Sequence, residues 1–337
     1  MMYSETCEKT DLRLGFIPLT DCAPLVIAKE LGFFEQQGLN VTLERESNWG
    51  SIRDKVSYGL LDGAQMLSPL PLAATLGLGT RAVPMLTGLV LSYNGLAITL
   101  SQQLIERLRE QQGLTSLCRP ADTARALKGY IESGARPLTL ATVYPYSCHY
   151  YQLNNWLRDN GIEPGRNLKL IPLPPSRMLE TLSDGAIDGY CVGEPWNTLA
   201  ELHNVGTVVA SGHQLWPGAI EKVFGVTQNF ASTHAVSHQA LLQSISHACQ
   251  WLGEGRNLPQ MRELLARPQY LGKNSLTTEF KPQLEVRSQF WQQGNRPDPA
   301  YAGQLLQQMQ QLGQWQGEDP EDIAQQVYRP DLLEEPG

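Results

Sequence analysis

Leu60-Leu61-Asp62-Gly63-Ala64 and Ala186-Ile187-Asp188-Gly189-Tyr190 repeat one arrangement in two distant parts of the chain. In each, a helix-like stretch passes through Asp-Gly into a short apolar run. Asp-Gly supplies turn geometry, so each segment reads as helix, turn and strand. The surroundings repeat as well. Ahead of the first copy, Leu12–Pro18 reads as a strand. Thr20-Asp21-Cys22-Ala23-Pro24 follows, with N-cap candidates and an early-turn proline for a helix to about Leu31. Gly38–Leu43 reads as a turn into a second strand, and Ser47-Asn48-Trp49-Gly50 opens a helix over Ser51–Tyr58. After the first copy, Ser68-Pro69 is expected to cap a helix, and Ala82–Leu91 is strand-like. Around the second copy, Pro137–Val143 and Leu168–Leu173 read as strands. Ser147 begins a helix reaching Leu157, and Pro175–Leu182 reads as another. Strands alternating with helices predict an α/β protein with a parallel sheet covered on both faces. The repeat predicts two similar lobes.

The length of 337 residues agrees with two domains at about 150 residues each. Asn94–Leu100, leading into the polar helix Gln102–Gln112, and Glu221–Thr227 are candidate links. The expected division is 11–100 plus 215–330 for the first lobe, with the C-terminal helices, and 101–214 for the second. From Thr233 onward the chain reads as short helices rich in glutamine, with Gln307–Gln311 a solvated face and Glu334–Gly337 a frayed end.

Apolar residues make up 42% and charged residues 18%, a globular profile. No apolar run approaches the roughly 20 residues of a membrane helix. The net charge of -8 counts against direct nucleic-acid binding, since such surfaces are basic, but it suits a basic protein partner. The first ten residues show no basic segment followed by an apolar one, so the expected compartment is the cytoplasm. Six scattered cysteines without a CxxC pair fit reduced thiols.

In open α/β sheets, ligands sit beyond the carboxyl ends of strands, where helix N-termini favour anions. Three strand-to-helix junctions are marked here: Asn48-Trp49-Gly50, Gln65 to Ser68, and Tyr146-Ser147-Cys148-His149. They carry an indole N–H, an amide, a hydroxyl and an imidazole, and none of these side chains is acidic. Each has an ordinary structural role available: packing for Trp49, a backbone partner for Gln65, solvation for His149, an N-cap for Ser147. Their shared position at strand ends favours a small-anion site. Weaker candidates are the adjacent Cys148-His149, which adjacency does not orient as a dyad, and the phosphate-loop fragment Gly77-Leu78-Gly79. The His234/His238 pair lacks the glutamate of a zincin motif, so no metal or cofactor is expected. Gly193-Glu194-Pro195-Trp196-Asn197 either places Glu194 at the site or starts the next helix.

At Asp21-Cys22-Ala23-Pro24-Leu25-Val26-Ile27-Ala28-Lys29-Glu30-Leu31-Gly32-Phe33-Phe34 the chain resembles the nitrate/bicarbonate-binding proteins of ABC transporters and their cytoplasmic relatives, the NasS-type nitrate/nitrite sensors. Ser47–Asp54, Asp62–Pro71 and Cys191–Asn197 extend the resemblance, which covers roughly residues 12 to 290. It implies a two-lobed, periplasmic-binding-protein-like (type II) fold with the ligand cleft between the lobes. It implies that Trp49, Gln65 and His149 contact the anion together with the backbone of Ser147 and Cys148, and that Lys222 adds an ammonium. Without the family, Lys222 reads equally as an exposed ion pair with Glu221. Where the family carries glycines before the histidine, this chain has Tyr146-Ser147-Cys148.

Donors without acceptors favour nitrate or nitrite over bicarbonate, which must donate a proton. Four charge-assisted contacts at about 1.5–3 kcal/mol each support micromolar binding after association costs. The resemblance further implies a partner, an RNA-binding antiterminator of NasT type, held without anion and released with it. Two alternatives are a periplasmic nitrate-binding subunit whose signal has been trimmed, and an enzyme on the same fold using His149 or Glu194.

Overall fold

The computed structural model describes residues 6–134, 136–165, 167–272, 291 and 294–333. They form two compact units. One holds 6–93, 220–272, 291 and 294–333, and the other holds the described part of 94–219.

The first unit contains a five-stranded sheet. Its strands are β1 (Asp11–Phe16), β2 (Asn40–Arg45), β3 (Gly63–Leu67) and β4 (Met85–Tyr93), joined by Ile220–Thr227. The second sheet holds β5 (Leu96–Ser101), β6 (Leu138–Thr142), β7 (Leu168–Pro172), β8 (Gly189–Gly193) and β9 (Gly206–Ser211), so Ile220–Thr227 is β10. The strand orders are β2-β1-β3-β10-β4 and β7-β6-β8-β5-β9. In each sheet the first three strands are parallel, as the alternation predicted. The fourth is antiparallel to both its neighbours. The sheets are therefore mixed, not parallel throughout.

Those antiparallel strands correct the expected boundaries. Leu96–Ser101 belongs to the second sheet, not to the first lobe, and Ile220–Thr227 is a central strand of the first sheet, not a link. The chain passes between units at Tyr93/Asn94 and Ala219/Ile220. Among the elements that carried no expectation are β9 and the helix Pro120–Glu132.

The repeated Asp-Gly works differently from a simple turn. Asp62 donates its N–H to the Arg13 carbonyl (2.8 Å), and its carboxylate accepts from Arg13 N (2.9 Å) and Lys9 Nζ (2.6 Å). Asp188 does the same in the second unit. Its N–H donates to the Thr139 carbonyl (2.7 Å), and its carboxylate accepts from Thr139 N (2.9 Å) and pairs with Arg136. Each aspartate thus clamps the start of the neighbouring parallel strand. The glycine is there for close approach: a Cβ on Gly189 would lie 2.7 Å from the Thr99 carbonyl oxygen, and one on Gly63 2.7 Å from the Phe224 ring.

Capping explains the helix starts. Asn48 Oδ1 accepts from Ser51 N (2.9 Å) ahead of the helix Trp49–Ser57, and Ser147 Oγ accepts from Tyr150 N (3.0 Å) ahead of Cys148–Asp159. Ser68 does not cap as expected. Its hydroxyl donates to the Ile220 carbonyl (2.6 Å), and the helix Leu70–Thr75 starts without a side-chain cap. The apolar helix Ala23–Glu30 buries its first six residues and packs on the helix Ala235–Gly253. On Pro299–Gln311, Gln307, Gln310 and Gln311 are exposed beside buried Met309, as a solvated face requires. Residues 334–337, expected to be frayed, lie outside the described residues.

Among the described residues no helix is long and apolar enough to cross a membrane. Replacing Gly189 by alanine is expected to destabilise the protein by about 1–3 kcal/mol through overpacking against a backbone oxygen. Gly303→Ala, on a helix where the added Cβ meets nothing within 4 Å, is expected to be neutral or stabilising. The urea midpoints of the two variants relative to the parent check the contrast.

Candidate functional site

In the first unit, four strand ends converge on one ammonium. β1 runs into a turn carrying Thr20 and Asp21; β2 leads to Trp49, first residue of its helix; β3 holds Gln65; β10 holds Glu221 and Lys222. Trp49, Gln65, Glu221 and Lys222 have no exposed surface, and Asp21 is 1% exposed. Lys222 Nζ lies 2.8 Å from Asp21 Oδ2, 2.6 Å from Glu221 Oε1 and 5.5 Å from the Trp49 ring centroid. The structure therefore brings Trp49, Gln65 and Lys222 together.

Their bonding differs from expectation in three respects. Lys222 does pair with Glu221, but the pair is buried, not exposed. Gln65 is engaged on both sides of its amide: Oε1 accepts from Ile17 N (2.9 Å) and Nε2 donates to Asp21 Oδ1 (2.5 Å). It orients Asp21. Finally, the group is not free of acids, because Asp21 and Glu221 flank the ammonium. Asp21, read from sequence as a capping candidate, caps nothing and serves as a counter-charge.

Burial dominates the electrostatics. It raises Asp21 above the ordinary carboxylate range against the pull of Lys222, and pushes Glu221 up to about 7. Burial works against the Lys222 ammonium too, yet the two carboxylates outweigh it and hold its pKa above the usual lysine value. Trp49 Nε1 and Thr20 Oγ1 are buried here without a hydrogen-bond partner among the described residues. Trp49 therefore presents an unused donor, as a ligand contact requires. Thr20 was legible only as a capping candidate.

In the second unit, β6 leads to the helix Cys148–Asp159, with Ser147 at its cap. Ser147 Oγ donates to the Tyr144 carbonyl (2.6 Å) and accepts from Tyr150 N, so its hydroxyl is committed to the turn. Cys148 and His149 are fully buried in the first helical turn, where the helix carries its partial positive charge. One turn further on, Gln152 is 2% exposed and both its amide atoms lack partners among the described residues. Sequence reading missed it, although i to i+3 spacing puts it on the helix face of His149.

The weaker candidates resolve structurally. Glu194 Oε2 accepts from Thr198 N (3.1 Å) and so serves the start of the helix Trp196–Leu202. Gly77 and Gly79 both have positive φ, in a turn after the helix Leu70–Thr75. His234 stacks on Phe230 at 5.1 Å, and burial lowers His238 to about 4. No group of side chains suited to hold a metal occurs among the described residues.

Comparison with known proteins places these observations. A profile of the NMT1-like family matches residues 5–266. The chain is 37% identical to the nitrate import ATP-binding protein NrtC of Synechocystis sp. PCC 6803, over 97% of this chain and 50% of that protein. It is 32% identical to the nitrate/nitrite binding protein NrtA of Nostoc sp. PCC 7120, over 78% of this chain and 58% of that one. The chain spans about half the length of the curated relatives it matches. The crystal structure of the periplasmic nitrate-binding protein NrtA from Synechocystis PCC 6803 superposes with a TM-score of 0.86 at 27% identity, covering 97% of this chain and 88% of that one. The aliphatic sulphonate binding protein SsuA of Escherichia coli shares the fold alone, with a TM-score of 0.67 at 15% identity over 96% of this chain and 98% of that one. The architecture is thus the α/β, periplasmic-binding-protein-like fold. With the family profile spanning most of its length, the chain belongs to the NMT1-like family and is a homologue of the NrtA substrate-binding proteins of nitrate transport.

Proposed function

We propose that this chain is a binding protein, not an enzyme, for a small oxyanion, nitrate or nitrite, and that it acts in the cytoplasm as a sensor of NasS type. The observation that carries the ligand reading is the buried, unpartnered indole N–H of Trp49 beside the buried ammonium of Lys222. The similarity to NrtA supports the choice of anion. The donors we assign are Trp49, Gln65 and Lys222 in the first unit, and His149 with the Ser147–Cys148 turn in the second. Without the anion the sensor holds an RNA-binding antiterminator of NasT type; with it, the partner is released. That switch requires the anion to bind the partner-free state more tightly. The acidic balance of the chain suits a basic partner.

A second reading has its own support. The match to NrtC runs over nearly the whole chain, which favours a ligand-recognising part of a nitrate or bicarbonate import system. The carboxylates at Lys222 also weaken the sequence-based preference for nitrate, since a proton-bearing anion finds acceptors there.

Calorimetric titration with nitrate, nitrite, bicarbonate and an alkanesulfonate decides the ligand. Micromolar binding of nitrate or nitrite with none of bicarbonate is the expected result. Trp49→Phe keeps an aromatic ring and removes the N–H, so it is expected to weaken that affinity about 10- to 100-fold, one charge-assisted hydrogen bond. Its melting temperature should fall modestly, because the smaller ring leaves a cavity at a fully buried position, so affinity is compared at a temperature where both proteins are folded. For the sensor, nitrate is expected to dissociate a purified complex with the antiterminator; a complex that persists in saturating nitrate refutes the release mechanism.

A further inference from the structure

We propose that anion binding at Lys222 is coupled to the uptake of one proton, with Glu221 the proton acceptor and hence the residue that sets how affinity depends on pH. The inference rests on the reading above, that an anion binds beside Trp49 and Lys222.

The geometry shows two carboxylates and one ammonium in a place without solvent. Asp21 Oδ2 at 2.8 Å and Glu221 Oε1 at 2.6 Å both face Lys222 Nζ, and all three side chains are buried. Their convergence has a backbone cause. Neighbouring residues of a strand normally point to opposite faces. Here the pairing of β10 with β4 shifts register between Ile220 and Lys222, leaving Glu221 out of the ladder. Such an irregularity re-aims side chains, and it lets Glu221 and Lys222 serve one cluster.

With every group ionised, the cluster carries one net negative charge. An arriving oxyanion would add a second in a medium that screens poorly. Protonating one carboxylate restores a neutral cluster, and the ammonium can then serve the anion. Among the described residues, the groups that contact the cluster add no further cation at bonding distance of the carboxylates, and the charge of Arg45 is felt only as far as Cys22. Gln65 on β3 is neutral and holds Asp21, and Trp49 presents its ring. Cys22, next to Asp21, has its thiol pushed well up by burial and stays neutral. The phenols of Tyr301 and Tyr328 donate to the carbonyls of Ile220 and Ser68. Burial already brings Glu221 to about 7, so its proton exchanges near neutrality. The two carboxylates titrate as a pair, and Glu221 is the member we assign.

The test is calorimetry with nitrate on the full chain between pH 6 and 8.5, in pairs of buffers of different ionisation enthalpy. Buffer-dependent heats should report close to one proton taken up per anion above neutrality. Affinity should fall about 30-fold across that range, close to tenfold per pH unit once Glu221 is ionised. Glu221→Gln fixes the neutral form. It is expected to abolish the proton uptake, flatten the profile, and bind nitrate at pH 8.5 more tightly than the parent. Binding without proton uptake in the parent overturns the inference and leaves the anion reading standing. Uptake that persists in Glu221→Gln overturns the assignment to Glu221. If that variant does not fold, the proton count on the parent still decides the coupling. No nitrate binding at any pH refutes the anion reading, and the inference falls with it.

Discussion

A lysine ammonium without water must be met by counter-charge, and the first unit is arranged around meeting one. Burying an isolated ammonium costs several kcal/mol or more, even after relaxation. Lys222 avoids that cost only because Asp21 and Glu221 lie at contact distance. Those carboxylates need fixing in turn. Gln65 holds Asp21 with its amide N–H and is itself held by the Ile17 N–H. The end of β1, the middle of β3 and the start of β10 are thereby tied by polar bonds, with the ring of Trp49 against the ammonium. A buried network of this kind rigidifies only when nearly all of it is satisfied. Among the described residues, the Trp49 indole N–H and the Thr20 hydroxyl lack partners there, and the first, a donor with no acceptor capacity, is the informative one.

The same network changes what can be said about anion choice. A set made only of donors would select against any ligand that must give a proton. The observed set is donors with two acceptors behind them. For nitrate, which has no proton, those acceptors are a charge to be neutralised. For bicarbonate, they are somewhere to place a proton. Discrimination then depends on the protonation state of the Asp21–Glu221 pair as much as on which donors are present. Reading side-chain types at strand ends could not reach this point, because Asp21 is legible there as a cap and Glu221 as a surface partner.

Much of the architecture was readable and the misreadings share a cause. Local signals placed the parallel strands within about two residues. They also placed the cap at Ser147, the helix opened by Ser47–Gly50, and the repeat at Asp62 and Asp188. What stayed hidden was non-local. β5 and β10 lie immediately after the two passages between units, and each enters a sheet antiparallel to the strands already there. Nothing within Asn94–Leu100 or Glu221–Thr227 separates a link from a strand whose partners lie far away in sequence. The register shift that turns Glu221 toward Lys222 is likewise a property of pairing with β4. For the site, residue types at strand ends were legible. Which were already bonded was not, and Gln65 and Ser147 prove to be fasteners within the protein.

The division between fastener and contact bears on how one fold could serve transport and, as proposed for this chain, sensing. A transport subunit and a sensor need the same grip on an anion; they differ in what reads the occupied state. In this chain the groups assigned to the anion under the proposed reading are joined by short polar bonds to one another and to the backbone, through Ile17, Asp21 and β10. If the anion arrives as proposed, a change in the charge of the cluster would therefore act on backbone elements, not only on side chains at a surface. Coupling of that kind is a difference in affinity between two states, and either a permease or a regulator can exploit it. The binding chemistry can then stay fixed while the partner changes, which is what a family spanning import proteins and a candidate sensor requires.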